Sequence, residues 1–173
     1  TQIGSNKGAI SWSPAEAGWS SMRAMEPIPT AETPTIQTEI QVMFFDTDCA
    51  AIVHNLAYLR FIEVARTQLA EQLGMALVDM ARSRIYPVLV RTEIDYKRAA
   101  QLGDKLLVEG RLESVERSRF WCSFEVRRPS DGLLLVTARQ LLALLQMPEM
   151  KPLRLPPEWA GRFAHLKPVR PPR

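Results

Sequence analysis

Apolar positions along this chain change period from one segment to the next, and each change marks an element. Residues 36–45 alternate, with Ile36, Ile40 and Val42 on one side, which predicts a first strand. Helical spacing replaces alternation further on. Tyr58, Phe61, Ile62, Ala65, Leu69 and Leu73 form a continuous apolar stripe, the mark of a long amphipathic helix starting near Asn55. Gly74 is its stop or kink, and residues 75–82 predict a second, short helical piece.

Alternation returns at residues 84–96. Tyr86, Val88, Val90, Ile94 and Tyr96 point one way and Leu89, Arg91, Glu93 and Asp95 the other, as in a half-buried strand. The triplet Leu102, Gly103, Asp104 is a turn. Residues 105–115 put Leu106, Val108 and Leu112 inward, and residues 119–127 do the same with Phe120, Cys122, Phe124 and Val126. A hairpin turn at residues 129–132 leads into residues 133–147, a long strand apolar on both faces, which suits a central strand or an interface.

One long helix followed by a run of antiparallel strands excludes a doubly wound parallel sheet. The economical arrangement is α+β, a curved antiparallel sheet wrapped around one long central helix. Three regions result: an N-terminal extension at 1–35, one domain at 36–150 and a proline-rich tail at 151–173. Within the extension, residues 13–23 predict a short helix with Ser13 as cap and Pro14 at its first position, from which Trp12 and Trp19 would dock on the main body. Residues 148–173 hold seven of the thirteen prolines and predict an extended surface tail.

The 46% hydrophobic and 24% charged content excludes a generally disordered chain. Residues 133–145 form the longest apolar run, and Thr137, Arg139 and Gln140 interrupt it, so no bilayer-spanning segment is expected. The N-terminus lacks the order of a secretory signal, which makes the cytoplasm the default location. Two cysteines make no disulfide or metal framework, and no metal is called for. Cys122 fits an inward strand position, and Cys49 is a loop residue with His54 as its one candidate activating partner. The net charge of +3 comes without a dense basic stripe, so nucleic-acid binding is not indicated.

Candidate chemistry concentrates between Phe45 and Arg66. Asp46 and Asp48 close the first apolar run and lead through a short loop into the helix. A carboxylate a few residues ahead of a helix N-terminus lies beside unpaired backbone N–H groups. A base or nucleophile near a ready-made oxyanion site is what acyl transfer needs. Turn formation is the plainer use of both aspartates, and Asp46 is expected to cap or orient the loop. Asn55 is a favoured N-cap type. Glu63 and Arg66 are spaced for an ion pair, and Arg91, Glu93 and Asp95 for a solvated charged ladder.

This segment resembles the hotdog-fold thioesterases of the 4-hydroxybenzoyl-CoA thioesterase type, marked by D-x-D-x-x-G-x-V, four further residues and Tyr. The match runs through Asp46, Thr47, Asp48, Ile52, Val53, His54, Asn55 and Tyr58, then Arg60, Phe61, Glu63 and Arg66, and covers residues 36 to 150. Ala51 stands where that pattern has glycine. The resemblance implies an acyl-CoA thioesterase, with Asp48 attacking the thioester carbonyl or activating water and the N–H of residue 55 as oxyanion donor. It implies a supporting role for His54. Tyr58 lies on the core stripe and faces substrate only secondarily, while Lys97, Arg98, Arg117 and Arg119 are candidates for the phosphates of coenzyme A. No cofactor is implied beyond coenzyme A as part of the substrate, and the implied state is a homodimer or homotetramer with sites at subunit boundaries. Rival readings are an acyl-carrier-protein thioesterase and a non-catalytic acyl-CoA-binding protein, the latter suggested by Ala51. A hydratase is disfavoured, because its Asp-to-His spacing of five would fall on Val53 instead of His54.

Overall fold

In the computed structural model, residues 32–166 are described. The expected helix at 13–23, with Trp12 and Trp19, lies outside them. Among the described residues, six strands form one antiparallel sheet: β1 (Thr35–Gln41), β2 (Ile85–Tyr96), β3 (Lys105–Val115), β4 (Arg119–Arg128), β5 (Leu133–Gln146) and the two-residue β6 (Lys151–Pro152). Three α-helices accompany it there: α1 (Asn55–Gln72), α2 (Leu77–Ser83) and α3 (Pro157–Arg162). The strand order is β1-β3-β4-β5-β2, with β6 added to the end of β5. This is the expected hotdog arrangement of a curled sheet around one long helix.

The core is the inner face of the sheet closed by α1. Phe61, Ile62, Ala65 and Leu69 of α1 are almost wholly buried, against Leu106, Val108, Leu112, Phe120, Phe124 and Leu142 from the sheet. Each large side chain of this set contributes about 1.5–3 kcal/mol by leaving water. The helix lies against β1 and β3, and so sits closer to that side of the sheet than to the β2 edge. Gly74 ends it with φ of +80°, a left-handed conformation that a side chain would strain. β5 lies inside the sheet, flanked by β4 and β2, one of the two placements expected for it.

Three expectations are corrected. The first strand stops at Gln41, because residues 44–46 turn into a 3-10 helix in which Asp46 Oδ2 accepts the Met43 N–H at 2.9 Å. Phe44 and Phe45 consequently face solvent. The alternation of β2 breaks at a bulge between Leu89 and Arg91, which leaves Leu89 and Val90 both exposed on this edge strand. The C-terminal segment is not merely extended. Leu153, Leu155, Trp159 and Phe163 are buried, and the Trp159 ring meets Phe120 and Phe163 edge-on, each at 5.3 Å. Its prolines permit this, since Pro156 is the N-cap of α3 and Pro157 its first position, where no backbone N–H is missed.

The outer face of the sheet is charged. Arg139 pairs with Glu113 at 2.6 Å and Glu93 at 3.0 Å while lying over the Trp121 ring. Arg91 joins through Glu93 at 2.9 Å, so the expected ladder is solvated and away from the core.

Candidate active site

The loop from Thr47 to Val53 is folded on itself by its own backbone. The Asp48 N–H donates to the Ile52 carbonyl at 2.9 Å, the Ala51 N–H donates to the Asp48 carbonyl at 3.0 Å, and Thr47 bridges Val53. Ala51 has φ of +58°, inside the left-handed region, so it holds the conformation expected of glycine at a cost of about 1 kcal/mol. The loop is then tied to the body through Val53 N–H to Ala100 O at 2.9 Å and Leu102 N–H to Ala51 O at 3.3 Å.

The two aspartates separate in role. Asp46 is buried, pairs with Arg60 on the second turn of α1, and uses its backbone carbonyl to accept the His54 N–H at 2.8 Å. It orients the loop, as expected. Asp48 is exposed. One of its oxygens, Oδ1, accepts the Ala50 N–H at 2.8 Å, and Oδ2 has no partner among the described residues.

The N-terminus of α1 corrects the cap assignment by one residue. His54, with extended backbone, is the N-cap, and its Nδ1 accepts the Leu56 N–H at 3.1 Å. That bond requires a ring nitrogen free of hydrogen, so the remaining proton of a neutral imidazole sits on Nε2. The Ala57 N–H donates to the His54 carbonyl. The Asn55 N–H, at the first helical position, has no acceptor among the described residues. Asn55 accepts instead at its carbonyl, from the Tyr96 hydroxyl at 3.2 Å, which joins the start of α1 to the end of β2.

A groove of about 430 Å³ brings these groups together. Asp48, His54, Asn55, Tyr58, Tyr96, Lys97 and Arg98 all line it. Tyr58 is nonetheless a buried core residue, as its stripe position requires. Its hydroxyl accepts the Ala100 N–H at 2.8 Å, and burial pushes its ionisation above the ordinary tyrosine value. Tyr96 was not expected here, because strand alternation says nothing about which helix end a strand terminus meets. Lys97 and Arg98 follow β2 directly and are exposed at the groove.

Arg117 and Arg119 are not brought to this groove. They sit at the β3–β4 turn, whereas the site loop lies by the opposite end of β3, where Lys105 pairs with Gln41. An 11-residue strand separates the two ends by roughly 33–37 Å. Arg119 pairs locally with Glu116 at 3.5 Å, and the Arg117 carbonyl accepts the Leu155 N–H. Cys49 is exposed beside Asp48, while Cys122 is buried and its thiol is pushed up to about 12 by burial.

An exposed carboxylate, a free helix N–H and two cations around one groove suit acyl transfer from an anionic carrier. Comparison with known proteins agrees. Residues 42–163 match the model of the thioesterase-like superfamily. The chain is 33% identical over 129 residues to the acyl-CoA thioesterase YbgC of Haemophilus influenzae, covering 74% of this chain and 93% of that protein. It is 28% identical over 133 residues to a 1,4-dihydroxy-2-naphthoyl-CoA hydrolase of Synechocystis, with 76% and 96% covered. The crystal structure of a 1,4-dihydroxy-2-naphthoyl-CoA thioesterase from Synechocystis superposes with a TM-score of 0.67 at 27% identity, over 76% of this chain and 97% of that one.

Proposed function

Because the chain belongs to the thioesterase-like superfamily, we propose that it is an acyl-CoA thioesterase whose reaction is run by Asp48 and the first N–H of α1. The observation that carries this reading is the free Asn55 N–H at the head of an 18-residue helix, in the same groove as the Asp48 carboxylate. The helix dipole adds to that N–H where negative charge develops on the thioester oxygen. Asp48 either takes a proton from water as it attacks the carbonyl, or attacks it directly to give a mixed anhydride that water then opens. Both routes break the C–S bond, form a C–O bond and release carboxylate and free thiol.

His54 supports the site through the helix end: its ring holds the Leu56 N–H and leaves the neighbouring Asn55 N–H for substrate. Lys97 and Arg98 receive the phosphates of coenzyme A. Arg117 and Arg119 serve only a site contributed by a second copy, in keeping with a homodimer or homotetramer. The exposed edge strand β2, with Leu89 and Val90 at 42% and 55% exposure, is the surface on which copies would meet. Ala51 keeps the left-handed turn that glycine would take, with φ of +58°, which favours the catalytic reading over a binding-only protein.

The test is thiol release from a panel of aromatic and aliphatic acyl-CoA esters by the natural chain and by Asp48→Asn. The expected result is a kcat about 100- to 10,000-fold lower in the variant. Equal rates in the two proteins would remove Asp48 from the chemistry. No release from any CoA ester, with release from acyl-carrier-protein esters, would reassign the carrier.

A further inference from the structure

A second cavity lies further along α1 and shares no lining residue with the groove. It measures about 150 Å³ and is built from the C-terminal half of α1, from α2 and from the inner face of β2, β4 and β5. Its walls are Leu69, Ala70, Leu73, Met75, Met80 and Phe120, with further apolar side chains around them. A cavity of that size with such walls has room for something like one benzene ring, or about six carbons.

The mouth is polar but carries no unmatched charge. Arg66 there pairs with Glu63 at 2.8 Å and donates to Gln140 Oε1 at 2.8 Å. The Cys122 thiol on the wall is held protonated by burial, so it adds no charge either. An anionic or cationic tail finds no unpaired partner inside, whereas a hydrocarbon end meets the apolar inner walls.

Position links this cavity to the groove. Asn55, Leu59, Arg66, Ala70 and Leu73 lie on one stripe of α1, at intervals of four, seven, four and three residues. β2 runs antiparallel beside the helix: Tyr96 lines the groove next to Asn55, and Tyr86 lines the cavity next to Arg66 and Ala70. The helix itself packs mainly against β1 and β3. Groove and cavity therefore lie toward opposite ends of α1, each reached by one end of β2, with the half-buried Leu59 on the helix between them.

We propose that the acyl group is a long, unbranched aliphatic chain that runs from Asp48 between α1 and β2, past Leu59, and ends in the cavity behind Arg66. The proposal rests on the thioesterase reading and names its substrate class. The helix rise gives about 12 Å from Asn55 to Glu63 and about 22 Å to Ala70. An extended alkyl chain advances about 1.25 Å per carbon given its bond lengths. Roughly ten carbons reach the mouth, and some fourteen to eighteen fill the cavity. An aromatic ring attached directly to the thioester carbonyl stops in the groove.

Met75 and Met80 make the cavity observable without turnover. The full chain carrying Asp48→Asn, labelled with ¹³C at its methionine methyls, would be titrated with free CoA and with acetyl-, benzoyl- and tetradecanoyl-CoA. Single Met75→Leu and Met80→Leu variants assign the two signals. Both signals should move with tetradecanoyl-CoA and stay still with the other three. In parallel, hydrolysis by the chain with intact Asp48 should rise two- to four-fold in kcat/KM per added methylene beyond about ten carbons. Ala70→Phe, which fills the cavity, should abolish that rise and leave short esters within two-fold.

Tetradecanoyl-CoA hydrolysed with still methionine signals and no effect of Ala70→Phe would overturn the proposal while the thioesterase reading stands. Benzoyl-CoA moving the two signals would overturn it as well. Moving signals with no thiol release by the natural chain would support the cavity assignment and defeat the catalytic one. Should Ala70→Phe fail to fold, the methionine titration decides alone.

Discussion

Asp46 and Arg60 form an ion pair that pins the site loop to the helix it feeds. The guanidinium also lies over the rings of Phe45 and Phe61, at 5.3 and 5.2 Å, so one side chain holds the turn before the loop and the helix after it. The next acidic residue along the chain, Asp48, makes a single local bond and leaves an oxygen open to the groove. Two carboxylates two positions apart thus differ in their bonding: one is tied into the fold and the other keeps an open oxygen.

That difference is measurable. Asp46→Ala removes the acceptor of the Met43 N–H and the partner of Arg60, and should cost about 1–3 kcal/mol of stability. Asp48→Asn should shift the unfolding midpoint far less while removing activity. Denaturant unfolding and thiol release on both variants decide the matter. Comparable destabilisation by the two would show that Asp48 is also a structural residue.

Ala51 offers a gain. Its φ of +58° suits glycine, so Ala51→Gly should stabilise the protein by up to about 1 kcal/mol, part of the relief being offset by the freer unfolded chain. Ala51→Val should destabilise by more than that amount. Thermal unfolding of the pair checks the sign, and a stability unchanged in both would mean that the turn relaxes to another conformation.

His54 caps α1 through Nδ1, and the substitution series separates capping from chemistry. His54→Ala should lose about 1 kcal/mol, and His54→Asn or His54→Ser should restore it. Activity should follow stability across the series if the ring only fixes the helix end. Recovery of stability without recovery of kcat would instead assign the imidazole to the reaction.

The cysteines differ in reach. Cys49 is exposed and Cys122 buried with its thiol pushed up to about 12 from an ordinary value near 9.0. At pH 8 a thiol reagent should titrate one cysteine in the folded chain and both in denaturant. The linkage has a definite sign. Because the folded state keeps the Cys122 proton to higher pH than the unfolded state, this contribution to stability is complete below about pH 9 and falls as pH rises toward 12. Unfolding curves collected across that interval should show the decline, and Cys122→Ala should flatten it.

Periodicity carried most of the fold. The α1 stripe and the inward positions of β3 and β4 follow directly from spacing, because each is buried on one side only and repeats without interruption. Where the chain departs from a regular period, the reading slips. The bulge at Leu89 and Arg91 resets the faces of β2 without any glycine or proline to announce it at that position. The early end of β1 depends on a contact between Asp46 and Met43 that has no hydrophobic signature. At the site, the loop and helix end were legible as a motif, but the cap lay one residue earlier than propensity suggests, since histidine is not among the preferred capping types. Tyr96 and the remoteness of Arg117 and Arg119 are properties of strand order, which a linear pattern does not contain.

Strand order also sets a timetable for synthesis. β2 is completed at Tyr96, yet its neighbour in the sheet, β5, ends only at Gln146, 50 residues later. At 5–20 residues per second, an apolar strand with both edges open waits roughly 3–10 s for its partner on the ribosome. Its bulge bends that strand out of the flat form that another nascent chain would most readily extend. The irregularity that blurs the sequence pattern thus falls on an apolar strand that must wait for a partner made well after it.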